Sequence, residues 1–406
     1  MTGVLGRRLA ALREHERLLM ISVSTVLVMA GQGVIAPVLP LFAKSFGVST
    51  ATIGLTLSFF AVARLVLNVP LGVLSDRRGR RMLLVAGPLV TSVGMLGSGM
   101  SPDIGVLLAW RLVAGAGSAM YMTGAQTYLV DISTPDNRAR FIGTNQAALL
   151  LGVAIGPAIG GFAAEAWGLR APFYLVGASA LVASAYAWSR LPETAHAHDG
   201  DGDGDGAGEP PGRRPWARFA LSRDFLAVAF VTTAIFFTRT GSRFTLMPLL
   251  AVDRLDFSPG SLGLLFTAMS VLNLALLGPA AWLADHAGRK RAIVPSGMIV
   301  AVGLVVLAVA GDHATFVVAA VVLAAGTSLA GPAPAAFAAD LAPPGLRGMA
   351  MGLYRTAGDL GFVVGPPLLG AVADATTIGW ALIANAGLMV VSAVVFAVVA
   401  RETVRQ

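Results

Sequence analysis

Six ionisable side chains stand inside long apolar stretches of the sequence, five of them arginines and one an aspartate. A charged group within such a stretch is costly unless it is paired or hydrated, so each is a functional candidate. Asp359 is the candidate proton site, because burial favours its neutral acid and a nearby arginine favours its carboxylate. The alternative is a static ion pair with Arg355, one helical turn earlier. The six residues are Arg64, Arg111, Arg239, Arg243, Arg355 and Asp359.

The composition of the chain indicates that these charges belong to a membrane protein. Hydrophobic residues make up 56% of the 406 residues and charged residues only 13%, against about 45–50% and 25% in ordinary soluble proteins. So few charges cannot cover a soluble surface, and much of the surface must therefore face lipid. The absence of cysteine excludes disulfides, thiolate metal sites and cysteine nucleophiles. The net charge of +7 is spread over short clusters, so we expect no nucleic-acid partner.

Twelve apolar runs of about 20 residues or more divide the chain, and each is long enough to cross a bilayer as a helix. They predict an all-α membrane protein with twelve transmembrane helices, numbered here as spans one to twelve. Continuous apolar runs argue against a transmembrane barrel, whose strands alternate in polarity. The runs are 18–42, 53–75, 82–101, 104–129, 141–165, 171–190, 224–250, 261–284, 292–311, 313–339, 348–374 and 378–400.

The basic residues predict the orientation of these spans. With the amino terminus on the cytoplasmic side, 21 of the 29 lysines and arginines lie on that side and three lie outside. Loops rich in lysine and arginine stay in the cytoplasm, so we expect both termini to be cytoplasmic.

One long polar segment, 191–223, separates a predicted six-helix bundle at 1–190 from a second one at 224–406. Alternating aspartate and glycine in it, beginning at Asp199, resembles a calcium loop. Position 12 of such a loop is a glutamate, but here it is Pro210, and no helices flank the run. We therefore interpret 191–223 as a flexible acidic cytoplasmic linker, and expect no metal site.

The two halves of the chain are copies of each other at an offset of 209 residues. The matches fall on helix-breaking residues and loop charges, where general apolar similarity does not produce them. A parallel repeat of six plus six spans is typical of transporters whose halves rock about a central site. Matching pairs include Pro70 with Pro279, Asp76 with Asp285, Gly79 with Gly288, Arg80 with Arg289, Asp131 with Asp340, and Gly156 with Gly365.

The loop between spans two and three carries the resemblance to a known family. Residues 72–81 read Gly-Val-Leu-Ser-Asp-Arg-Arg-Gly-Arg-Arg. They match the G-x-L-[SA]-D-R-x-G-R-[RK] loop of the major facilitator superfamily at every defined position, and a degenerate copy lies between spans eight and nine. The resemblance implies a gating loop in which Asp76 locks one conformation against the amino end of span eleven. The implied gating residues are Gly72, Asp76, Arg77, Gly79, Arg80 and Asp285.

Span five is similar to the antiporter motif of the family's drug–proton exchangers. Glycines four residues apart make one helix face smooth, so that another helix can approach it closely. The proline removes a backbone hydrogen bond and permits a bend. The alternative is a generic packing stripe, and span eleven repeats the pattern with Leu369 in place of a glycine. The motif residues are Gly152, Gly156, Pro157, Gly160 and Gly161.

The family architecture implies that spans one, four, seven and ten line a central cavity. Arg111 fits the family's buried-arginine position, which is associated with proton exchange. Many exchangers of this kind carry a carboxylate in span one, where this chain offers only Gln32. The implied cavity residues are Gln32, Arg111, Met120, Tyr121, Met122, Gln126, Phe236, Phe237, Arg239 and Arg243.

Two of the six intramembrane charges lie at similar heights along their spans, calculated from the helical rise per residue. Arg64 lies about 18 Å above the cytoplasmic end of span two, and Asp359 lies about 14 Å above the start of span eleven. These spans meet at the interface of the two halves in the family. We therefore predict an Arg64–Asp359 ion pair in one conformation, with Arg355 as a competing partner, and assign proton coupling to Asp359, Arg111 and Arg64.

The sequence thus predicts a monomeric exporter of small amphipathic compounds that exchanges them for protons across a bacterial cytoplasmic membrane. The alternatives are an exporter of anionic metabolites or sugars, and a lipid flippase or non-transporting sensor on the same scaffold. We expect no enzyme activity and no cofactor, because no P-loop, zinc-spacing motif or nucleophile elbow occurs.

We predict that residues 197–212 are dispensable for transport, because their low hydrophobicity cannot bury enough surface to order them. A Gly/Ser linker of equal length should leave the transport rate unchanged, with protein in the membrane fraction as the control. Loss of activity in a protein that inserts normally would mean that the segment has a specific partner.

Overall fold

A computed structural model describes residues 2–134, 137–193, 219–343 and 346–403. Side chains are described throughout these ranges except at 2–15, 69, 76, 139 and 347. Within the described ranges the regular structure is helical, without strands. Twelve of the helical segments found there are long and apolar enough to cross a membrane, which confirms the predicted all-α fold. The Asp-Gly run of the predicted linker lies outside the described residues.

The helices of the first half follow the apolar runs and end at backbone breakers. Span one ends at Ile35, close to Pro37, and a short helix Leu39–Lys44 follows. Gly79 separates spans two and three with a φ of 92°, a conformation that favours glycine. The spans are Thr2–Ile35, Thr50–Arg78, Arg80–Met100, Ile104–Asp131, Arg138–Trp167 and Ala171–Arg190.

The second half departs from uninterrupted α-helix at two places. Span seven changes to a π-helix over Thr238–Leu246, which we call the π segment. Span ten, predicted as continuous, is interrupted at Gly331 and Pro332, because Gly331 adopts a φ of 43° and proline has no amide hydrogen. The helices are Arg223–Phe237, Thr238–Leu246 and Met247–Leu255 (span seven), Pro259–Ala287, Arg289–Val309, His313–Ala330 and Ala333–Asp340 (span ten), Arg347–Ala375 and Ile378–Val399.

Spans four and ten begin with the same cap, 209 residues apart. The carboxylate of Asp103 accepts a hydrogen bond from the Val106 N–H at 3.0 Å, and that of Asp312 accepts one from the Thr315 N–H at 2.9 Å. The bond from the Thr315 backbone holds the pKa of Asp312 below its usual value. The repeat therefore conserves helix starts as well as loop charges between the two halves.

The chain forms two compact units. Unit 1 comprises Met1–Leu39 and Phe59–Asp205, and unit 2 comprises Pro40–Ser58 and Gly206–Gln406. The predicted division into 1–190, 191–223 and 224–406 stays a prediction, and the grouping of 40–58 with unit 2 is a feature that the sequence did not indicate.

Contacts at both ends of the 40–58 segment explain why it belongs to unit 2. The backbone N–H groups of Thr50 and Ala51, at the start of span two, donate to the Asp374 carboxylate at 2.8 and 2.9 Å. Lys44 forms an ion pair with Asp253, and these two residues occupy equivalent positions in the repeat. A carboxylate at a helix amino end is favoured by the unsatisfied N–H groups there.

Each unit has its own apolar core. In unit 1 the core includes Ile21, Tyr121 and Tyr128, and in unit 2 it includes Val228 and Phe337. Other large apolar side chains are exposed along the helices, as expected of surfaces that face lipid. Four exposed tryptophans lie close to helix ends, where the boundary between lipid and water favours them. They are Trp167, Trp188, Trp282 and Trp380.

Candidate functional site

Arg111 is a buried cation in span four of unit 1, with 3% of its surface exposed. Its guanidinium lies over the ring of Phe60 in span two, 4.7 Å from the ring centroid. Its Nη1 atom lies 3.9 Å from Sδ of Met95 in span three. An aromatic face attracts a cation that has left water, and the thioether is a weak acceptor. Span four therefore holds a positive charge between two neighbouring helices.

The predicted cavity residues of spans one and four occupy different environments in unit 1. Gln32 is half-buried and donates from Nε2 to Oγ of Ser118 at 3.2 Å. Met122 is half-buried and Gln126 is exposed. Tyr121 is fully buried in the core of the unit. The structure thus brings Gln32 beside span four, while the Tyr121 ring contributes to core packing.

Arg239 and Arg243 both lie in the π segment of span seven, directly after Phe237, which is half-buried. In a π-helix each backbone hydrogen bond joins residues five apart instead of four apart, which widens the turn. A threonine side chain follows the same spacing, since Oγ1 of Thr245 donates to the Thr240 carbonyl at 2.9 Å. No motif in the sequence indicated this geometry.

Two neighbouring helices hold the π segment in position. Asn385 of span twelve is 1% exposed; its Oδ1 accepts from Oγ1 of Thr238 at 3.1 Å, and its Nδ2 donates to Oγ of Ser242 at 2.7 Å. From the side of span eleven, a Cβ atom added to Gly241 would lie 2.9 Å from the carbonyl oxygen of Gly365. The wide turn is therefore clamped by hydrogen bonds on one side and by backbone packing on the other.

The π segment brings its two arginines to one aromatic ring. The guanidinium carbons of Arg239 and Arg243 lie 5.8 and 5.7 Å from the centroid of Phe244. Arg243 also lies 5.8 Å from the centroid of Phe266 in span eight, and its Nη1 donates to the amide oxygen of Asn273 at 3.2 Å. Arg239 is exposed, whereas Arg243 is half-buried. Unit 2 therefore presents two cations on a rigid aromatic support.

The remaining intramembrane charges lie in different units. Asp359 is half-buried and Arg355 is exposed, both in span eleven of unit 2. Arg64 is half-buried in the part of span two that belongs to unit 1. The predicted Arg64–Asp359 pair, and the competition from Arg355, stay predictions.

The loop of residues 72–81 in unit 1 is bonded to the ends of spans four and six. Nε of Arg80 lies 2.9 Å from a carboxylate oxygen of Asp131. The Glu193 carboxylate accepts from the backbone N–H groups of Arg80 and Arg81 at 2.9 and 3.3 Å, so it caps span three. A Cβ atom at Gly79 would collide with that carboxylate. Glycine is therefore favoured at position 79 by its positive φ, and a side chain there would also have to displace the end of the Glu193 side chain.

Unit 2 repeats this arrangement with equivalent residues. Arg289 forms ion pairs with Asp285 and with Asp340, the latter at 3.4 Å. The Glu402 carboxylate accepts from the N–H groups of Arg289 and Lys290 at 2.9 and 3.0 Å. Asp285, one of the predicted gating residues, thus forms an ion pair with the first residue of span nine.

Sequence reasoning missed Glu193 and Glu402, although the offset of 209 residues relates them and was the signal that could have found them. Gly72 is half-buried and Arg77 is exposed, while the Asp76 side chain lies outside the described residues.

The glycines of span five face span one. A Cβ atom added to Gly156 would lie 2.5 Å from the carbonyl oxygen of Ala30, and one on Gly160 would collide with the carbonyl of Val34. At Gly152 an added Cβ would lie 2.9 Å from the amide nitrogen of Ala30. The two backbones therefore touch along three successive turns, as the glycine spacing predicts.

The rest of the motif lies within the same helix, which runs without a break through Pro157. Pro157 and Gly161 are both buried. In unit 2 the equivalent of Gly160 is Leu369, whose Cδ1 would lie 2.6 Å from a Cβ atom on Gly241. A close backbone contact at this level is thus specific to unit 1.

We predict that Gly156→Leu lowers the thermal unfolding midpoint of the purified protein in detergent by several degrees. The added side chain would have to displace span one, and overpacking of this kind costs about 1–3 kcal/mol. Gly143→Leu is the matched control, because a Cβ atom at Gly143 on the same helix meets no atom within 4 Å. Equal midpoints for the two variants would contradict the close contact between spans one and five.

Comparison with known proteins identifies the fold and the family. The sequence profile of the Major Facilitator Superfamily matches residues 21–258 and 232–406. The chain is 26% identical over 374 residues to multidrug resistance protein 2 of Bacillus subtilis, covering 90% of each chain. It is 31% identical to the quinolone resistance protein NorA of Staphylococcus aureus over 157 residues, 39% of this chain and 40% of NorA.

A solved structure agrees with this fold. A bacterial homolog of the human lysosomal transporter Spinster, in an inward-facing and occupied conformation, superposes with a TM-score of 0.80 at 16% identity. The alignment covers 94% of this chain and 96% of the homolog, and at this identity it supports the fold alone. With twelve membrane-spanning helices and a family profile that matches nearly its whole length, the chain belongs to the Major Facilitator Superfamily of transporters.

Proposed function

We propose that this transporter exports small amphipathic compounds in exchange for protons by alternating access. The observation that carries the proposal is the glycine stripe of span five, which packs against the span-one backbone and matches the motif of the family's drug–proton exchangers. The names of two relatives, a multidrug resistance protein and a quinolone resistance protein, support the same class of compounds.

The chemistry of the interior supports amphipathic substrates. Phe60 and Met95 surround the Arg111 cation, and Met122 is half-buried on the same helix as Arg111. Methionine and aromatic side chains adapt to apolar ligands of varied shape. A fixed cation beside them orients the polar end of a substrate, because a charge attracts polar and anionic groups strongly in an apolar site.

Asp359 is the proton site in this proposal. It is half-buried, and among the six charged residues that lie away from the ends of the apolar runs it is the one carboxylate. Protonation removes its charge and with it the attraction to an arginine. Arg64 is its proposed partner in one conformation and Arg355 its competitor, while Arg111 supplies a fixed positive charge in unit 1.

The proposed setting is a bacterial cytoplasmic membrane, with both termini in the cytoplasm and the protein acting as a monomer. The 21 basic residues on the side of the termini support that orientation. Asp76 would then face the cytoplasm and lock the outward-facing state against span eleven.

Proteoliposomes with an imposed pH gradient test the proposal. We expect pH-driven movement of fluorescent amphipathic compounds that collapses when an uncoupler is added. A flippase would instead move labelled phospholipid, a sugar exporter would move labelled sugar but not amphipathic dyes, and a sensor would move nothing.

We predict that Asp359→Asn abolishes pH-driven accumulation but retains exchange of substrate down its own gradient. The asparagine keeps the shape of the side chain and cannot release a proton. Asp312→Asn is the matched control, since Asp312 lies outside the spans and only caps a helix. Full pH-driven accumulation by the Asp359→Asn variant would contradict the assignment of the proton site.

A further inference from the structure

The π segment holds two positive charges close together. Arg239 and Arg243 are four residues apart and contact the same Phe244 ring. Like charges at this spacing repel each other on a helix. An anion bound to Arg243 would therefore also be attracted by the positive charge of Arg239.

Arg243 is held in place by its neighbours, and one of its hydrogen-bond donors is not used. Its Nη1 is used by the amide oxygen of Asn273, and Asn273 in turn donates to Oγ of Ser328 at 2.6 Å in span ten. Its Nε atom is buried and has no hydrogen-bond partner among the described residues. A buried donor of a charged group without a partner is costly, and such a group in a native structure calls for a ligand or another explanation.

The geometry of the free edge indicates which anion fits. The Nε atom without a partner belongs to the edge that Nε and Nη2 form, opposite the Nη1 bond to Asn273, and this edge carries two parallel donors. A carboxylate presents two oxygens at the matching separation, and this bidentate pairing is the strong one for arginine. The half-buried Phe244 ring beside the guanidinium provides an apolar surface for the rest of the molecule, and the buried Phe266 ring supports Arg243 from the other helix.

The support of the site is rigid in a way that suits binding. Asn385 bonds both Thr238 and Ser242, which flank Arg239 and Gly241, and so holds the wide turn from within unit 2. π-helical turns are rare and are frequently found at functional sites. Pre-organisation of this kind lowers the ordering cost of binding.

We propose that Arg243 and Arg239 form a carboxylate-binding site, and that the compounds which this protein exports include aromatic carboxylates. Arg243 binds the carboxylate through Nε and Nη2, Arg239 adds a second positive charge, and Phe244 contacts the aromatic body. The inference rests on the proposed function in that the bound anion is the exported compound, but binding itself requires neither protons nor transport.

The test is equilibrium binding of two matched probes to the purified protein in nanodiscs. The probes are a fluorescent naphthalene carboxylate and the corresponding neutral carboxamide. We expect the carboxylate to bind about tenfold or more tightly than the carboxamide, the scale of one charge-assisted hydrogen bond. Arg243→Gln should remove this preference and leave carboxamide binding unchanged, and Arg243→Lys should restore only part of it, because lysine has no bidentate edge.

Arg254→Gln is the matched control, since Arg254 is exposed and donates to the Ala308 carbonyl near the end of span seven. Equal affinity for the two probes, or a carboxylate preference that survives Arg243→Gln, would overturn the inference.

Retained carboxamide binding and an unchanged melting midpoint show that the Arg243→Gln variant is folded. If Arg243→Gln unfolds, the test uses Arg239→Gln, which must weaken carboxylate binding or the inference fails. A preserved Arg243-dependent preference without pH-driven efflux would contradict only the proposed function, whereas pH-driven efflux of both probes alike would contradict only this inference.

Discussion

A charge among apolar helices must find hydrogen bonds or an aromatic face, and much of this structure follows from that constraint. At helix ends, carboxylates accept hydrogen bonds from the free backbone N–H groups, as Glu193, Glu402 and Asp374 do. In the interior it uses rings, with Phe60 under Arg111 and Phe244 under the two arginines of span seven. Only a group that these devices leave incompletely satisfied is available for a substrate.

The internal repeat shows that the loop contacts have a structural role. Arg80, Asp131 and Glu193 in unit 1 have the same relations as Arg289, Asp340 and Glu402 in unit 2. In each unit one arginine joins the ends of three helices, through its side chain and its own backbone N–H. Because each network closes within its own unit, it stabilises that unit's helix ends in every conformation that moves the unit as a body.

The sequence predicted those parts of the fold that depend on local composition. Twelve apolar runs gave twelve spans, and the glycines of span five gave a helix face that another backbone touches. It did not predict the π segment, because that geometry depends on Asn385, which is more than 140 residues away in the chain. The break at Gly331 did have a local signal, the Gly-Pro pair, but an apolar-run criterion ignores it.

The two halves differ in how closely their equivalent helices pack. In unit 1, Gly160 touches the Val34 carbonyl, so spans one and five pack without room for anything between them. The repeat offset of 209 puts Leu369 at the position of Gly160 and Arg243 at that of Val34. Two larger residues cannot reproduce the backbone contact, and there span seven takes a wider turn that carries the arginines and leaves a donor on Arg243 unsatisfied. In unit 2 the helices stay close at Gly361 and Gly365, where an added Cβ atom would collide with the carbonyl oxygen of Thr233 and lie 2.7 Å from that of Phe237, respectively. The two larger residues therefore open the seam only at the level where span seven turns wide.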